Sequence, residues 1–165
     1  MFLQKLTNGL LFIYFLFITI VAPLFDGQTI LPIEFFPKLL IDLKSNYAQE
    51  NNDYLISEKP HFFVGLVWVE LLLQWPLCMA NLYGILNKKS WVKKTCLIYG
   101  VSTATGMVAI LSELYNSGKG SPRVVSIYAP FMAFAIICIL NGLTTKSSST
   151  VNLTTRPAMG RKKRA

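Results

Sequence analysis

Hydrophobic residues occur in four long runs that are separated by more polar segments. Each run is close to the ~20 residues that an α-helix needs to cross the hydrocarbon core of a membrane. Composition agrees, since 53% of the residues are hydrophobic and only 15% are charged, whereas soluble domains carry about 25% charged residues. The pattern therefore predicts four transmembrane helices, over residues 6–25, 62–87, 95–112 and 124–145.

The connection between the first two runs has a periodicity of its own. Apolar residues recur there at intervals of three and four, as is typical of an amphipathic helix that begins at Pro37. They are Phe36, Leu40, Leu43 and Tyr47. With Asp42, Lys44 and Ser45 on its other faces, this helix is expected to lie on the lumenal surface or to cover the lumenal end of the bundle.

A cleaved signal peptide is an alternative interpretation of the first run, because Lys5 precedes it. The run is long for the apolar part of a signal peptide. The following VAPLFDG also lacks a small-x-small cleavage pattern, with Pro23 and Leu24 where small residues are needed. We therefore expect a retained transmembrane helix.

Basic residues cluster at the chain ends and in the second connection, NKKSWVKK (87–94), where no acid accompanies them. By the positive-inside rule both termini are predicted to be cytosolic. The fold class is thus an all-α membrane protein with four transmembrane helices, made of a membrane domain over residues 1–145 and a basic cytosolic tail over residues 146–165. The net charge of +8 is explained by membrane ends and anionic membrane lipids, so no nucleic acid is expected as a partner.

The chain ends in Lys162-Lys163-Arg164-Ala165, with lysines at the third and fourth positions from the end. On a cytosolic tail this KKxx pattern resembles the di-lysine retrieval signal of endoplasmic reticulum membrane proteins. A stop-transfer cluster that happens to end there is the alternative. The retrieval interpretation predicts a multi-pass protein of the endoplasmic reticulum membrane.

Cysteine and histidine give no sign of a metal or cofactor site. Cys78, Cys96 and Cys138 all fall within predicted helices without CxxC spacing, and His61 is the single histidine. We expect no metal, no cofactor and no catalytic residue.

Glu70 is the one charged residue within the second run. An acid at the centre of a membrane helix costs roughly 2.5–3.5 kcal/mol, so it is a functional-site hypothesis by default. Gln74 lies one turn away, and this polar stripe, with Leu73 on the same face, should point into the bundle because lipid offers no hydrogen-bond partners. Pro76 frees the carbonyl of Leu72 and is expected to kink the helix just beyond Gln74.

Asp26 ends the first run on the lumenal side of the membrane, which is also the side where the second run begins. Glu70 is about eight residues inside its helix, or roughly 12 Å deep, so the two acids can come within reach. Two carboxyls in a low dielectric cannot both ionise cheaply. We therefore expect Glu70 to keep its proton and donate a hydrogen bond to Asp26, with no lysine or arginine at that depth to pair with them.

The third run contains the small and polar stretch YGVSTATG (99–106). The pairs Gly100/Ala104 and Ser102/Gly106 should allow close approach of a neighbouring helix.

Four segments, in order, resemble the motifs of the sigma-2 receptor family, also called the transmembrane protein ninety-seven family, within the EXPERA group. They are LFDGQTILPIEFFP (24–37), VELLLQWP (69–76), IYGVSTATG (98–106) and VSIYAP (125–130). The resemblance covers about residues 10–142. It implies a four-helix endoplasmic reticulum protein, often a homodimer, whose occluded cavity opens sideways to lipid and binds sterols or lipophilic amines.

The resemblance also implies roles for single residues. Asp26 would pair with a ligand cation and Glu70 would be its protonated partner, while Asp53 matches an acid with a structural role. The implied pocket lining is Gln74, Tyr99 and Tyr128. A plainer interpretation makes Asp26 a helix-end residue and both tyrosines packing residues. Gly106 stands where relatives often have a hydroxyl residue, which leaves ligand selectivity open.

Three functions stay open at this point. The first is sterol or lipid binding in intracellular sterol handling and lipid transport. The second is an adaptor for protein handling or mitochondrial-precursor sorting at the reticulum surface, with a membrane protein as partner. The third is a sterol isomerase-like enzyme, which the resemblance to the EXPERA group brings in but which lacks a histidine at the depth of Glu70.

Overall fold

A computed structural model describes residues 2–144 of the chain. The helices in this part are α1 (Phe2–Leu24), α2 (Lys38–Asn51), α3 (Tyr54–Glu58), α4 (His61–Val69), α5 (Trp75–Leu86), α6 (Val92–Asn116) and α7 (Pro122–Leu143). Two 3-10 turns, Asp26–Thr29 and Ile33–Phe35, follow α1, and a π-helical turn, Glu70–Gln74, joins α4 to α5. The predicted tail and its retrieval signal at Lys162 and Lys163 lie outside the described residues.

Four helical stretches of the described chain are long and apolar enough to cross a membrane, which confirms the predicted spans. They are Gln4–Thr29, His61–Leu86, Val92–Asn116 and Pro122–Leu143. Gln4–Thr29 and Val92–Asn116 extend beyond the predicted runs at both ends, because those runs stop at charged residues, whereas a helix can continue past the hydrocarbon core.

α6 and α7 form the most extensively packed pair of the bundle. A Cβ atom added to Gly100 would lie 2.7 Å from the backbone oxygen of Ala135, and one added to Gly142 would lie 2.8 Å from that of Lys93. Both glycines are therefore needed for this contact, and the predicted close approach at Gly100 is confirmed. Gly106 differs, because an added Cβ would meet only Leu66, at 3.6 Å.

The segment between α1 and α4 covers one end of the bundle, which we call the capped end. Tyr54 of α3 donates a hydrogen bond of 2.8 Å to Glu113 near the end of α6. Tyr128 of α7 donates to Asp53, which precedes α3, at 3.0 Å. These bonds attach α3 to two membrane helices, so covering the bundle end is the role of this segment.

The predicted apolar face of α2 is confirmed for Leu40 and Tyr47, which are half-buried, and wrong for Leu43. Leu43 is 55% exposed, whereas Lys44, which was expected on a polar face, is only 6% exposed. The face turned to the bundle is the one that carries Lys44, Ala48 and Asn51, which are all buried. Lys44 is turned inward because its ammonium donates hydrogen bonds to Phe25 and Thr29. The periodicity of a single helix does not reveal acceptors in another part of the chain.

The irregularity of the second spanning stretch begins one turn earlier than predicted. The backbone N–H of Trp75 donates to the carbonyl of Glu70, five residues back, which is the pattern of a π-helix. This wide turn directly precedes Pro76, which has no N–H to donate. The extra residue rotates the side chains that follow Glu70, so Gln74 is 9% exposed and Leu73 is 45% exposed. The prediction that Leu73 shares the face of Glu70 is therefore wrong.

Candidate functional site

A cavity of about 310 Å³ lies inside the bundle, between α1, the α4–π turn, α6 and α7. It separates two apolar clusters: one contains Tyr14, Ile18 and Tyr99, and the other Phe63, Val67 and Ile110. Polar side chains in its wall are Tyr14, Glu70, Gln74, Tyr99, Ser102, Thr103 and Thr105. Val69, which is 41% exposed, and the exposed Thr105 also line it. The cavity therefore reaches the lateral surface of the bundle between the π turn and α6.

Three of the five side chains predicted to contact a ligand line this cavity, namely Glu70, Gln74 and Tyr99. Asp26 and Tyr128 do not belong to its wall. The structure thus brings the predicted residues of the second and third spans together and places the other two closer to the capped end.

Gln74 is held in one orientation by two side chains of α6. Its amide nitrogen donates to Ser102 at 3.0 Å, and its amide oxygen accepts from Thr103 at 3.2 Å. On the other side of the cavity, the hydroxyls of Tyr14 and Tyr99 are 2.9 Å apart. These bonds connect α1, α6 and the π turn, so the polar wall is organised without a ligand.

The carboxyl group of Glu70 makes no hydrogen bond within the described residues 2–144, although it lines the cavity. The hydrogen bond predicted between Glu70 and Asp26 is absent from this part of the chain. The π turn aims Glu70 at the cavity, where no described residue donates a hydrogen bond to its carboxyl. The site can therefore offer this carboxyl to a hydrogen-bonding ligand.

Lys44 is the residue that the sequence interpretation missed. Its ammonium donates to the carbonyl of Phe25 at 2.7 Å and to the hydroxyl of Thr29 at 2.8 Å, on either side of Asp26 in the chain. It also lies 5.2 Å from the centre of the Phe25 ring. Burial lowers the pKa of Lys44 to about 8, while the charge of Asp26 acts in the opposite direction. Lys44 thus lies near Asp26, although the described residues show no ion pair between Lys44 and either acid.

A sequence signal for Lys44 did exist. Positions 44, 48 and 51 recur at four and three residues, the spacing of a helix face, and this is the face that α2 buries. Hydrophobicity favours a face that also includes Leu43, which the structure leaves exposed. A lysine whose ammonium is satisfied by backbone and hydroxyl oxygens can be buried against that preference.

Asp53 has the surroundings of a structural acid. It is fully buried, and one carboxyl oxygen accepts from Tyr128 at 3.0 Å and from Tyr47 at 3.5 Å. The other accepts from the backbone N–H of Leu55 at 3.1 Å, which makes Asp53 the N-cap of α3. Burial raises the pKa of Asp53, and the bonds from Tyr128 and Leu55 oppose that rise. Tyr128, which was predicted to line the pocket, belongs to this cluster.

A second and larger concavity of about 620 Å³ lies on the capped end, between α2, α3 and the first 3-10 turn. Gln28, Lys44 and Lys59 are among its lining residues, and none of the five predicted ligand residues is. The described residues contain no cluster of histidine, cysteine and acidic side chains that could hold a metal ion.

Comparison with known proteins agrees with this arrangement. Residues 39–142, more than half of the chain, match EXPERA, the EXPanded EBP superfamily. The chain is 29% identical over 153 residues to the Sigma intracellular receptor 2 of Homo sapiens and to that of Macaca fascicularis, covering 83% of this chain and 87% of each relative. The Sigma intracellular receptor 2 of Xenopus tropicalis is 26% identical over 152 residues, which are 84% of this chain and 89% of the relative. The resemblance drawn from the four sequence segments is thereby confirmed, and the chain belongs to the EXPERA family of multi-pass membrane proteins.

Proposed function

We propose that this protein binds sterols or lipophilic amines in the Glu70 cavity and acts in sterol and lipid handling in the endoplasmic reticulum membrane. The observation that carries the proposal is the carboxyl of Glu70, which lines an intramembrane cavity without a hydrogen bond from the described protein. An acid in such a position needs a partner. A ligand that brings one polar group into an otherwise apolar space would supply it.

The shape and the lining of the cavity support a lipophilic ligand with one polar end. Its volume is near the lower limit of the roughly 300–1,000 Å³ typical of small-molecule sites, and it is open laterally beside Val69 and Thr105. A ligand larger than the cavity would extend through this opening into the hydrocarbon region. Its hydroxyl or amine would meet Glu70, and its apolar body would contact Leu66, Met107 and Phe131.

A pair of glycine substitutions tests this binding mode. In Gly106→Leu the Cβ meets only Leu66, at an ordinary distance of 3.6 Å, so the rest of the new side chain would fill the cavity. Gly65→Leu is the matched control, because a Cβ at Gly65 has no other atom within 4 Å. Binding of a labelled sterol and mass spectrometry of co-purifying lipids should show a loss of about tenfold or more in Gly106→Leu and no change in Gly65→Leu. Equal binding by both variants and the unmodified protein would refute the cavity as the binding site.

We propose that the protein has no sterol isomerase activity. The single histidine of the chain, His61, is exposed at the start of α4 and is not part of the cavity wall, so Glu70 has no histidine with which to relay a proton. The protein is therefore expected not to restore the sterol profile of cells that lack their isomerase. Restoration of that profile would contradict the proposal.

The proposed location includes an orientation with both termini in the cytosol and the capped end in the lumen. The distribution of basic residues supports it. Glycosylation acceptor sites added at the C-terminus should stay unmodified, and Lys162→Ser together with Lys163→Ser should release the protein towards the Golgi. A glycosylated C-terminal site would overturn the orientation.

A further inference from the structure

The concavity on the capped end has a positively charged wall. Lys44 and Lys59 are its charged residues, and no aspartate or glutamate of residues 2–144 belongs to it. Its volume of about 620 Å³ lies within the roughly 300–1,000 Å³ that is typical of small-molecule sites. None of its lining residues is shared with the Glu70 cavity. The concavity is therefore a separate candidate site, and its charge suits an anionic ligand.

Neither of these lysines is neutralised by an ion pair within residues 2–144. Glu58, the acid that precedes Lys59 in the chain, forms its ion pair with Lys119 instead, at 2.7 Å. Lys59 itself is exposed, so its ammonium is free to meet a negative group in the concavity.

Lys44 is the buried counterpart of Lys59 in this wall. Its ammonium donates to the carbonyl of Phe25 and to the hydroxyl of Thr29, which are both uncharged. An ammonium has three donors, and the third makes no hydrogen bond in the described part of the chain. Burial lowers the pKa of Lys44 to about 8, although the charge of Asp26 opposes this effect. A negative group in the concavity would act in the same direction as Asp26 and stabilise the ammonium.

The concavity lies at the level where the lipid headgroups begin. Gln28, in its wall, is in the last turn of the spanning stretch Gln4–Thr29, and Lys59 lies just before the stretch His61–Leu86. Beyond such ends the hydrocarbon core gives way to the headgroup region, where lysines attract anionic lipid headgroups. The wall also has an apolar part, made of Ile33, Ile41, Ala48 and Ile56. A lipid would contact both parts of the wall, whereas a free anion would contact the lysines alone.

We propose that this concavity binds a single-chain anionic amphiphile, with a phosphate or carboxylate head beside the two lysines and an acyl chain along the isoleucines. The volume suits one chain and its head. The side-chain amide of Asn52 lines the same wall, makes no hydrogen bond within the described residues and would donate to the head. The site takes an anion instead of a sterol or an amine, so it goes beyond the proposed function and does not depend on it.

The test compares two probes, a long-chain alkyl phosphate, which is anionic at neutral pH, and the uncharged alcohol of the same chain length. Equilibrium binding to the purified protein should be about tenfold tighter or more for the phosphate than for the alcohol. Equal affinity for both probes would show that the lysines do not select the charge and would overturn the proposal.

Lys59→Asn removes one positive charge of the wall. Affinity for the alkyl phosphate should fall about fivefold, since a lysine near an anionic headgroup contributes ~1 kcal/mol. Lys88→Asn is the matched control, because Lys88 is also an exposed lysine, lies outside the wall and has a left-handed backbone, with φ of 50° against 49° for Lys59. Asparagine adopts this conformation readily, so both variants should fold, and Lys88→Asn should change neither affinity.

Ser45→Glu tests the charge of the wall without removing a lysine. Ser45 is an exposed residue of the wall, so the substitution places a negative charge in the concavity and should weaken binding of the alkyl phosphate about tenfold by repulsion. Asn46→Glu adds the same charge at the next position of α2, which is exposed and outside the wall, and should leave this affinity within about twofold. Thermal unfolding of each variant checks that it is folded.

Two further measurements identify the ligand class and separate this site from the Glu70 cavity. Inorganic phosphate should not displace the alkyl phosphate, and displacement at equal concentrations would make the site one for free anions and overturn the lipid proposal. Gly106→Leu should leave alkyl phosphate binding unchanged even where it abolishes sterol binding. If it abolishes both, the anion binds in the Glu70 cavity, so the second site is overturned and the proposed function stands.

The remaining outcomes also separate the two proposals. If folded Lys59→Asn and Ser45→Glu bind the alkyl phosphate as tightly as the unmodified protein does, the second site is overturned. If both variants weaken this binding while sterol binding is insensitive to Gly106→Leu, the cavity proposal fails and the second site stands.

Discussion

Asp53 and Glu70 are two acids inside the same small bundle with opposite surroundings. Asp53 has both carboxyl oxygens occupied by donors from Tyr128, Tyr47 and the backbone of Leu55. Glu70 has no hydrogen bond in the described residues and faces a cavity. A buried acid whose bonds are complete connects structural elements, whereas one whose bonds are missing is available to a ligand.

The local backbone explains the difference. Asn52 is left-handed, with φ of 52°, and this turn between α2 and α3 places Asp53 at the N-cap of α3, where a backbone N–H points at its carboxyl. Glu70 opens a π turn in the middle of a spanning stretch, where backbone donors are used within the helix. Backbone donors are therefore available to Asp53 and not to Glu70.

The largest effect is expected from Asp53→Ala. It leaves two tyrosine hydroxyls and the N–H of Leu55 without their acceptor and removes the N-cap of α3. Hydrogen bonds to a charged group contribute ~1.5–3 kcal/mol each and a cap ~1 kcal/mol. A loss of about 4 kcal/mol is expected in the free energy of unfolding, measured by denaturant titration in detergent. A change in the free energy of unfolding below about 1 kcal/mol would show that Asp53 is not a structural acid and so does not differ from Glu70 in this respect.

Asp26→Asn adds a third acid to the comparison, one that lies outside the cavity wall and near Lys44. The substitution removes a negative charge that would attract an amine bound in the cavity. Binding of a lipophilic amine should weaken by about 2–5 kcal/mol, the usual cost of breaking a buried charge pair. A neutral sterol should be affected less, and both can be measured by equilibrium binding. If a well-folded Asp26→Asn protein binds the amine as tightly as the unmodified protein, Asp26 is no part of the site.

Lys44 predicts a pH dependence of stability. Its pKa is lowered from 10.5 to about 8 in the folded state, first by burial and against the charge of Asp26. Between these values the unfolded chain binds more protons at this residue than the folded one, so stability should rise as the pH rises above 8. Thermal unfolding should show this rise up to about pH 9.5, since the pKa of Tyr47, raised to about 12, reverses the trend above its ordinary value.

The control for this rise is Lys44→Met, which should lose it, while Lys38→Met should keep it. Asp26, Glu70, Asp53 and Lys59 are the other charged groups that act on Lys44, and all of them are present in both variants. If the stability of Lys44→Met rises with pH by an equal amount, other titratable groups cause the pH dependence.

The smallest effect is expected from Glu70→Gln. The glutamine has the shape of a neutral carboxyl, and no described hydrogen bond is lost, so unfolding free energy should change by less than about 0.5 kcal/mol. Sterol binding should be kept because the amide can still donate and accept. A loss of stability comparable to that of Asp53→Ala would show that Glu70 is a structural acid as well.

The spans and the inward position of Glu70 follow from the sequence because both depend on transfer from water to lipid. A run of about 20 apolar residues has one stable arrangement in a membrane, and an acid within it has one tolerable face. Gln74 and Tyr99 share the cavity with Glu70 for the same reason. Lys44 could not be found in this way, because its burial depends on oxygens of Phe25 and Thr29 in another part of the chain.

The π turn and the position of Tyr128 could not be predicted from sequence patterns, for related reasons. Pro76 predicts an irregularity. The width of the turn before it, however, depends on the hydrogen bonds of Gln74 with Ser102 and Thr103 of α6. Tyr128 has the same periodicity whether it faces the cavity or Asp53. Its partner is set by α3, a helix of five residues that lies outside the spans.

The lateral opening beside Val69 and Thr105 determines whether the membrane or the aqueous concentration of a ligand governs occupancy of the cavity. A ligand that arrives through this opening is drawn from the hydrocarbon phase, so occupancy follows its mole fraction in the bilayer and not its aqueous concentration. Two compounds that fit the cavity equally well would then differ in apparent potency by the ratio of their partition coefficients. Diluting the protein at a fixed lipid-to-ligand ratio would leave occupancy unchanged, whereas adding empty vesicles would lower it.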